Sequence, residues 1–140
     1  MTVNADITIF NKRYNADRRT ELFYPTQIRG VSFYKRKNVA WKKKETSSDD
    51  EYTIRIPIDA DMGGKEYMEA KAYEALSDEE FSGYWTLQPG AIIIKGLSDM
   101  ETATETELDK TYADAIRIMN FTDNTDRCSD VMKHWRIGGE

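Results

Sequence analysis

Cysteine and histidine are almost absent from this chain, which contains one of each, Cys128 and His134. A single cysteine cannot form an intramolecular disulfide, and this favours synthesis in a reducing compartment. Structural zinc usually takes four Cys or His ligands, so two candidate ligands argue against a zinc site. We therefore expect no metal, no cofactor and no disulfide in the folded protein.

Long apolar runs and phosphate-binding motifs are also missing. No run approaches the roughly 18 residues that a membrane-spanning helix needs, and the first ten residues lack the features of a secretory signal. Neither a Walker loop nor a G-x-G-x-x-G motif occurs. The sequence predicts a single β-rich domain over residues 1–140 with no membrane association.

Apolar and polar residues alternate with period two in much of the chain. The segments "DITIFN" and "YTIRIPI" are typical of half-buried strands. Pro57 cannot donate a ladder hydrogen bond, so the second segment should be an edge strand or end there. Further strand candidates are residues 21–24 and 28–34, the region around Trp85, the isoleucine run 92–94, "AIRIMNF" and "KHWRI".

Two short helices interrupt these strands. Helical spacing of Met68, Ala72 and Leu76 indicates the first, and the capping box of Thr104 with Glu107 opens the second. With about seven short strands and one or two short helices, the chain is predicted to be mainly β, as a small β-barrel or sandwich.

Basic residues are concentrated in the first third of the chain. Residues 1–44 hold 11 Lys or Arg against 3 Asp or Glu, although the whole chain has a net charge of −5. The polar stretch from about 35 to 50 is predicted to be a long basic loop. Its candidate contacts with a partner or with DNA are Lys35, Arg36, Lys37, Trp41, Lys42, Lys43 and Lys44. A solvated loop without a partner explains the same residues, and the overall acidity argues against a dedicated DNA-binding protein.

The closing segment "DRCSDVMKHWRIGGE" raises the question of a Cys-His active site. If "MKHWRI" is extended, Trp135 and Ile137 share one face and His134 and Arg136 the other. We expect the first pair in the core and the second pair towards solvent or a subunit interface. Cys128 falls in the preceding turn, and proximity in sequence does not supply the geometry of a catalytic pair. No catalytic residue is predicted, and the final two glycines are expected to form a flexible terminus.

Across nearly its full length, the chain resembles a family of small proteins of tailed phages and prophages, encoded among genes for the head and the head-tail junction. The residues that carry the resemblance are "DITIFNKRY", "YTIRIPI", "WTLQPGAIIIKG", "DAIRIMNFTDN" and "MKHWRIGG". These motifs are strands and turns and do not mark any chemistry.

The resemblance implies a structural, non-enzymatic protein of the virion neck, made in the bacterial cytoplasm. It would act in head closure or head-tail joining, as a ring of identical subunits that contacts portal or adaptor and tail proteins and surrounds the packaged DNA. A minor capsid or tail-completion protein is an alternative. An alternative of another class is a nucleic-acid-binding module that uses the basic loop, and a more remote one is a cysteine hydrolase that uses Cys128.

Overall fold

The computed structural model describes residues 3–37, 50–125 and 133–140. Within these ranges the chain is mainly β, with eight strands and two short α-helices, so the predicted fold class is confirmed. The elements are β1 Ala5–Asn15, β2 Thr20–Lys37, β3 Asp50–Pro57, β4 Glu66–Tyr67, α1 Ala70–Ala75, a 3₁₀ turn Phe81–Gly83, β5 Tyr84–Trp85, β6 Ile92–Lys95, α2 Glu105–Thr111, β7 Ile116–Asn124 and β8 His134–Gly139.

Six of these strands close into a barrel. Their order around the wall is β1-β2-β3-β8-β7-β6, and β4 and β5 form a separate two-stranded sheet. All neighbours in the barrel are antiparallel. β3 ends at Pro57, as predicted, but it is an inner strand between β2 and β8. No helix in the described ranges is long and apolar enough to cross a bilayer.

β2 is one strand of 18 residues, where two shorter strands were predicted. Pro25 does not interrupt it and lies opposite Phe10 of β1. Gly30 has φ +87°, and the pairing register shifts next to it, as in a β-bulge. Beyond this point the strand leaves β1 and pairs with β3 from Ser32 to Lys37. The bulge bends the strand, so that one segment contributes to two parts of the barrel wall.

The barrel interior is the main hydrophobic core. Trp85, Trp135 and the half-buried Tyr67 lie in mutual contact there, with the two tryptophan rings 5.3 Å apart in an edge-to-face arrangement. Other buried side chains point inward from the wall strands: Ile7, Ile9, Ile28, Val31, Phe33, Ile54, Ile56, Ile93, Ile116, Ile118 and Ile137. The prediction that Trp135 and Ile137 belong to the core is therefore confirmed.

A second apolar cluster lies on the outside of the barrel wall. It joins Leu108 of α2 and Ala103 to Phe10 of β1, Phe23 of β2 and two isoleucines of β6. Thr104 accepts a hydrogen bond from the Glu107 amide at 3.2 Å, so the predicted capping box is present. Because α2 covers this side, β1 is buried on both faces there instead of being half-buried.

The first helix differs from its prediction. α1 has only six residues, and its buried side chain is Tyr73 rather than the predicted series Met68, Ala72 and Leu76. Arg13 of β1 donates hydrogen bonds to the carbonyls of Tyr73 and Leu76 at 2.7 and 2.8 Å. These hydrogen bonds hold the C-terminal end of α1 against the barrel.

Candidate interaction surface

The first three residues of the predicted basic loop form part of a strand instead. Lys35, Arg36 and Lys37 belong to β2, where their backbones lie opposite Tyr52, Glu51 and Asp50 of β3. Ladder pairing therefore holds this stretch in an extended strand. The other candidate residues of the loop, Trp41, Lys42, Lys43 and Lys44, lie outside the described residues, as does Cys128.

Two lysines lie at the end of the barrel where β2 finishes. The Lys35 ammonium is 5.6 Å from the centre of the Tyr52 ring, and the Lys95 ammonium is 5.1 Å from that of Phe33. Both line a groove of about 240 Å³ together with Asp114. The stems of both lysines thus cover aromatic surface at this rim.

His134 does not occupy the surface position that alternation predicted. It is only 9% exposed, because it lies in the wall between Pro57 of β3 and Asn124 of β7. Its Nε2 is 3.4 Å from the amide nitrogen of Asn124. Arg136, two residues later, is exposed as expected. Of the predicted interface pair, His134 and Arg136, only Arg136 therefore lies on the surface.

Gly138 and Gly139 are part of β8 and do not form a flexible end. They pair with Thr53 and Tyr52 on one side, and Gly138 pairs with Asn120 on the other. A Cβ atom at Gly138 would lie 2.6 Å from the side-chain oxygen of Asn120, and one at Gly139 would lie 2.6 Å from the Arg117 carbonyl oxygen. The two glycines permit this close approach of β7 to β8.

Arg136 faces a second arginine across the sheet. It lies directly opposite Arg55 of β3, and both point away from the core because their neighbours Ile54, Ile56, Trp135 and Ile137 are buried inside the barrel. Like charges directly opposite each other destabilise a sheet. No ion pair involves either arginine within the part of the chain that the structure describes.

Polar and aromatic residues surround the two arginines on the same face of the sheet. Tyr34 is 46% exposed and lies opposite Thr53, and Thr122 lies opposite Arg136. We call the surface formed by Tyr34, Arg55, Asn120, Thr122 and Arg136 the arginine face. A groove of about 200 Å³ adjoins it and is lined by Asn120 and Arg136 of this face, by the 57% exposed Met119, and by Glu140.

The opposite charge is concentrated around α2. Residues 97–114, which we call the acidic segment, hold six acidic residues and one lysine. Arg117 binds two of the carboxylates, with its Nη2 2.8 Å from Asp109 and 3.1 Å from Glu105. The remaining four take part in no ion pair among the described residues: Asp99, Glu101, Glu107 and Asp114.

The two arginines and α2 lie on different strands of the barrel, although Arg117 joins α2 to β7, the strand beside β8. The arginines belong to β3 and β8, whereas α2 packs on β1 and β6 through Leu108. In the closed order of six strands, β1 is three places from β8 and β6 is three places from β3. The closure of the barrel thus converts a charge imbalance along the chain into two charged surfaces.

A third polar region surrounds Lys65. Its ammonium donates to the Pro25 carbonyl at 2.9 Å and to the Thr26 hydroxyl at 3.0 Å, and burial lowers the pKa of Lys65. Nearby, burial raises the pKa of Tyr73 to about 12. These bonds tie the turn before β4 to β2. In the described ranges, no three His, Cys, Asp or Glu side chains are grouped to hold a metal ion.

Sequence reasoning found Arg136 but missed Arg55. The alternation of "YTIRIPI" already assigned Arg55 to the polar face of its strand, yet nothing in the sequence indicated that β3 and β8 are neighbours. The register is the missing information, because it decides which outward side chains meet.

Comparison with known proteins gives one family. A family model described as "Family of unknown function (DUF6751)" matches residues 1–140. No curated protein and no solved structure matches the chain.

Proposed function

This chain belongs to the DUF6751 family, and for it we propose a non-enzymatic structural role in the neck of tailed-phage virions. The protein acts in head closure or head-tail joining, as a ring of identical subunits between portal or adaptor and tail proteins. It is made in the bacterial cytoplasm and resides in the virion. The sequence resemblance described above motivates the proposal.

The observation that carries the proposal is the position of charge on the barrel. The two arginines belong to β3 and β8, whereas the helix of the acidic segment packs on β1 and β6. A contact between two different surfaces of identical subunits is heterologous, and it builds a ring when its rotation closes. A charged barrel with two such surfaces is suited to repeated assembly around a channel.

Electron microscopy of the protein mixed with the portal protein encoded beside it tests this function. We expect an additional ring of density on the portal, at the side that receives the tail. A portal from an unrelated phage is the control and should remain bare. If the protein is missing from the necks of assembled particles, the proposed role is wrong. Density on the capsid shell or at the tail tip would indicate the minor capsid or tail-completion alternative instead.

A nucleic-acid-binding module is the second candidate, and the arginine face favours it. Two arginines suit phosphates, and the exposed Tyr34 suits stacking on a base. This candidate predicts that the isolated protein binds DNA with an affinity that falls steeply as salt rises. Ring assembly predicts instead that salt weakens contacts between protein subunits.

A further inference from the structure

We propose that the arginine face receives the acidic segment of a second copy of this chain, so that neighbouring subunits join head to tail. The inference rests on the proposed ring assembly and names the two surfaces that form its repeated contact. The partner is the chain itself, and the recognised group is a carboxylate of its residues 97–114.

An anionic partner would stabilise the arginine pair. Arg55 and Arg136 lie directly opposite each other on adjacent strands, and this arrangement costs free energy in an isolated subunit. No carboxylate among the described residues forms an ion pair with either of them. An incoming carboxylate converts this repulsion into two attractive contacts, and a guanidinium suits it because it can bind both oxygens.

The shape of the arginine face suits a protruding side chain. The groove of about 200 Å³ beside Arg136 is lined by Met119, Asn120 and Glu140 together with the two glycines of β8. Asn120 and Thr122 supply polar groups beside it, and Met119 adds exposed apolar surface. An acidic side chain from a helix or turn fits such a depression, with its stem against Met119 and its carboxylate near Arg136.

The charge balance favours a second copy over DNA. A second copy and DNA are both negative, as is this chain with its net charge of −5, but long-range repulsion is stronger for a polyanion, and the acidic segment provides a local match. Glu101 and Glu107 are both exposed and outside any ion pair that the structure describes. Because the two arginines belong to β3 and β8 and α2 packs on β1 and β6, one subunit can use both surfaces at once.

Charge reversal on both sides of the contact tests the interface. One variant carries Arg55→Glu with Arg136→Glu, and the other carries Glu101→Lys with Glu107→Lys. Sedimentation equilibrium at high protein concentration and low ionic strength should show that the wild type associates and that added salt dissociates it. Each variant alone should associate roughly tenfold more weakly or worse, because like charges then meet at every contact.

Mixing the two variants gives the decisive result. In an equal mixture every contact can again pair opposite charges, since each copy offers a surface that matches the other copy. We expect association to return to near the wild-type level. A face-to-face dimer through the arginine face would set arginine against arginine in the wild type, so it would associate only in the mixture.

The control is Arg18→Glu with Arg29→Glu, which makes the same change in net charge at two exposed arginines elsewhere. It should associate like the wild type, and circular dichroism should show that all variants are folded. The interface is overturned by a wild type that stays monomeric under these conditions, by reversed variants that associate normally, or by a mixture that does not recover. It is also overturned if reversal removes DNA binding and leaves self-association unchanged.

The outcomes separate this inference from the proposed function. If virions with the Arg55→Glu and Arg136→Glu variant still contain a neck ring, the interface is wrong and the role in the neck stands. If the wild type is absent from necks but the charge-reversed mixture recovers, the interface stands and the role in the neck is wrong.

Discussion

Gly139 occupies the most constrained position of the described C-terminal strand. It lies in the barrel wall between Tyr52 of β3 and Ile118 of β7. A Cβ atom at this position would lie 2.6 Å from the Arg117 carbonyl oxygen and 2.7 Å from the Ile116 side chain. The first contact is with backbone, which can yield only if the strand moves.

Replacing Gly139 by alanine should therefore destabilise the barrel by about 2 kcal/mol, as overpacking of a tight site does. Gly138→Ala should cost less, because its close neighbour is the Asn120 side chain, which can rotate away. Gly83→Ala is the control, since a Cβ atom there would meet nothing within 4 Å. Urea denaturation measures all three. A Gly139→Ala variant as stable as Gly83→Ala would contradict the close approach of β7 to β8.

At the scale of elements, α1 depends on its contacts with the barrel. A helix of six residues is too short to be stable alone. Its buried residue is Tyr73, whose ring lies 5.6 Å from the Arg13 guanidinium. The same guanidinium lies 4.4 Å from the ring of Phe81 in the following turn. The buried ring of Tyr73 thus connects α1 to β1 and to the following turn.

The pH dependence of stability tests this docking. Burial raises the pKa of Tyr73 to about 12 from an ordinary value of 10.0. The folded state thus favours the neutral phenol, so this stabilisation is fully present below pH 10 and is lost as pH rises towards 12. The wild type should lose up to about 3 kcal/mol of unfolding free energy in that interval from this group.

Tyr73→Phe keeps the ring and removes the ionisable hydroxyl, so its stability should fall less between pH 10 and 12. Tyr14→Phe is the matched control, because it makes the same chemical change at a side chain that is 62% exposed. Urea denaturation at several pH values measures the difference. Identical pH profiles for the wild type and Tyr73→Phe would show that the α1 contact does not depend on a neutral Tyr73.

At the scale of the whole molecule, closure of the barrel does not require residues 38–49. β2 and β3 are already paired up to Lys37 and Asp50. The six strands bury one continuous core, and α2 covers the wall on β1 and β6 with a second cluster. The charged surfaces defined above are both outside residues 38–49.

Replacing residues 38–49 by Asn-Gly should leave the barrel folded, because these two residues favour the tight turn that joins antiparallel strands. The unfolding free energy should stay equal or rise by up to about 1 kcal/mol, since a shorter loop costs less entropy. The length-matched control retains residues 38–49 but changes Trp41 to Ala and Lys42, Lys43 and Lys44 to Ser. Both variants should keep the salt-sensitive self-association. If both variants lost self-association, the subunit contact would belong to residues 38–49.

The sequence by itself determined the class of the fold. Period-two alternation identified the strands of the barrel wall, because residues on one strand face must share one environment. Alternation also identified the core role of Trp135 and Ile137, and the capping box identified the start of α2. Both patterns depend on neighbours within a few residues. The end of β3 at Pro57 was also predicted locally, because proline cannot donate a ladder hydrogen bond.

Only the tertiary structure decided which surfaces meet. The burial of His134, the pairing of Arg55 with Arg136 and the tight position of Gly139 all depend on β8 lying between β3 and β7. These strands are far apart in the sequence, and their register follows from packing of the whole core rather than from local preference. The arginine face likewise exists only after the barrel has closed, because its residues come from four separate strands.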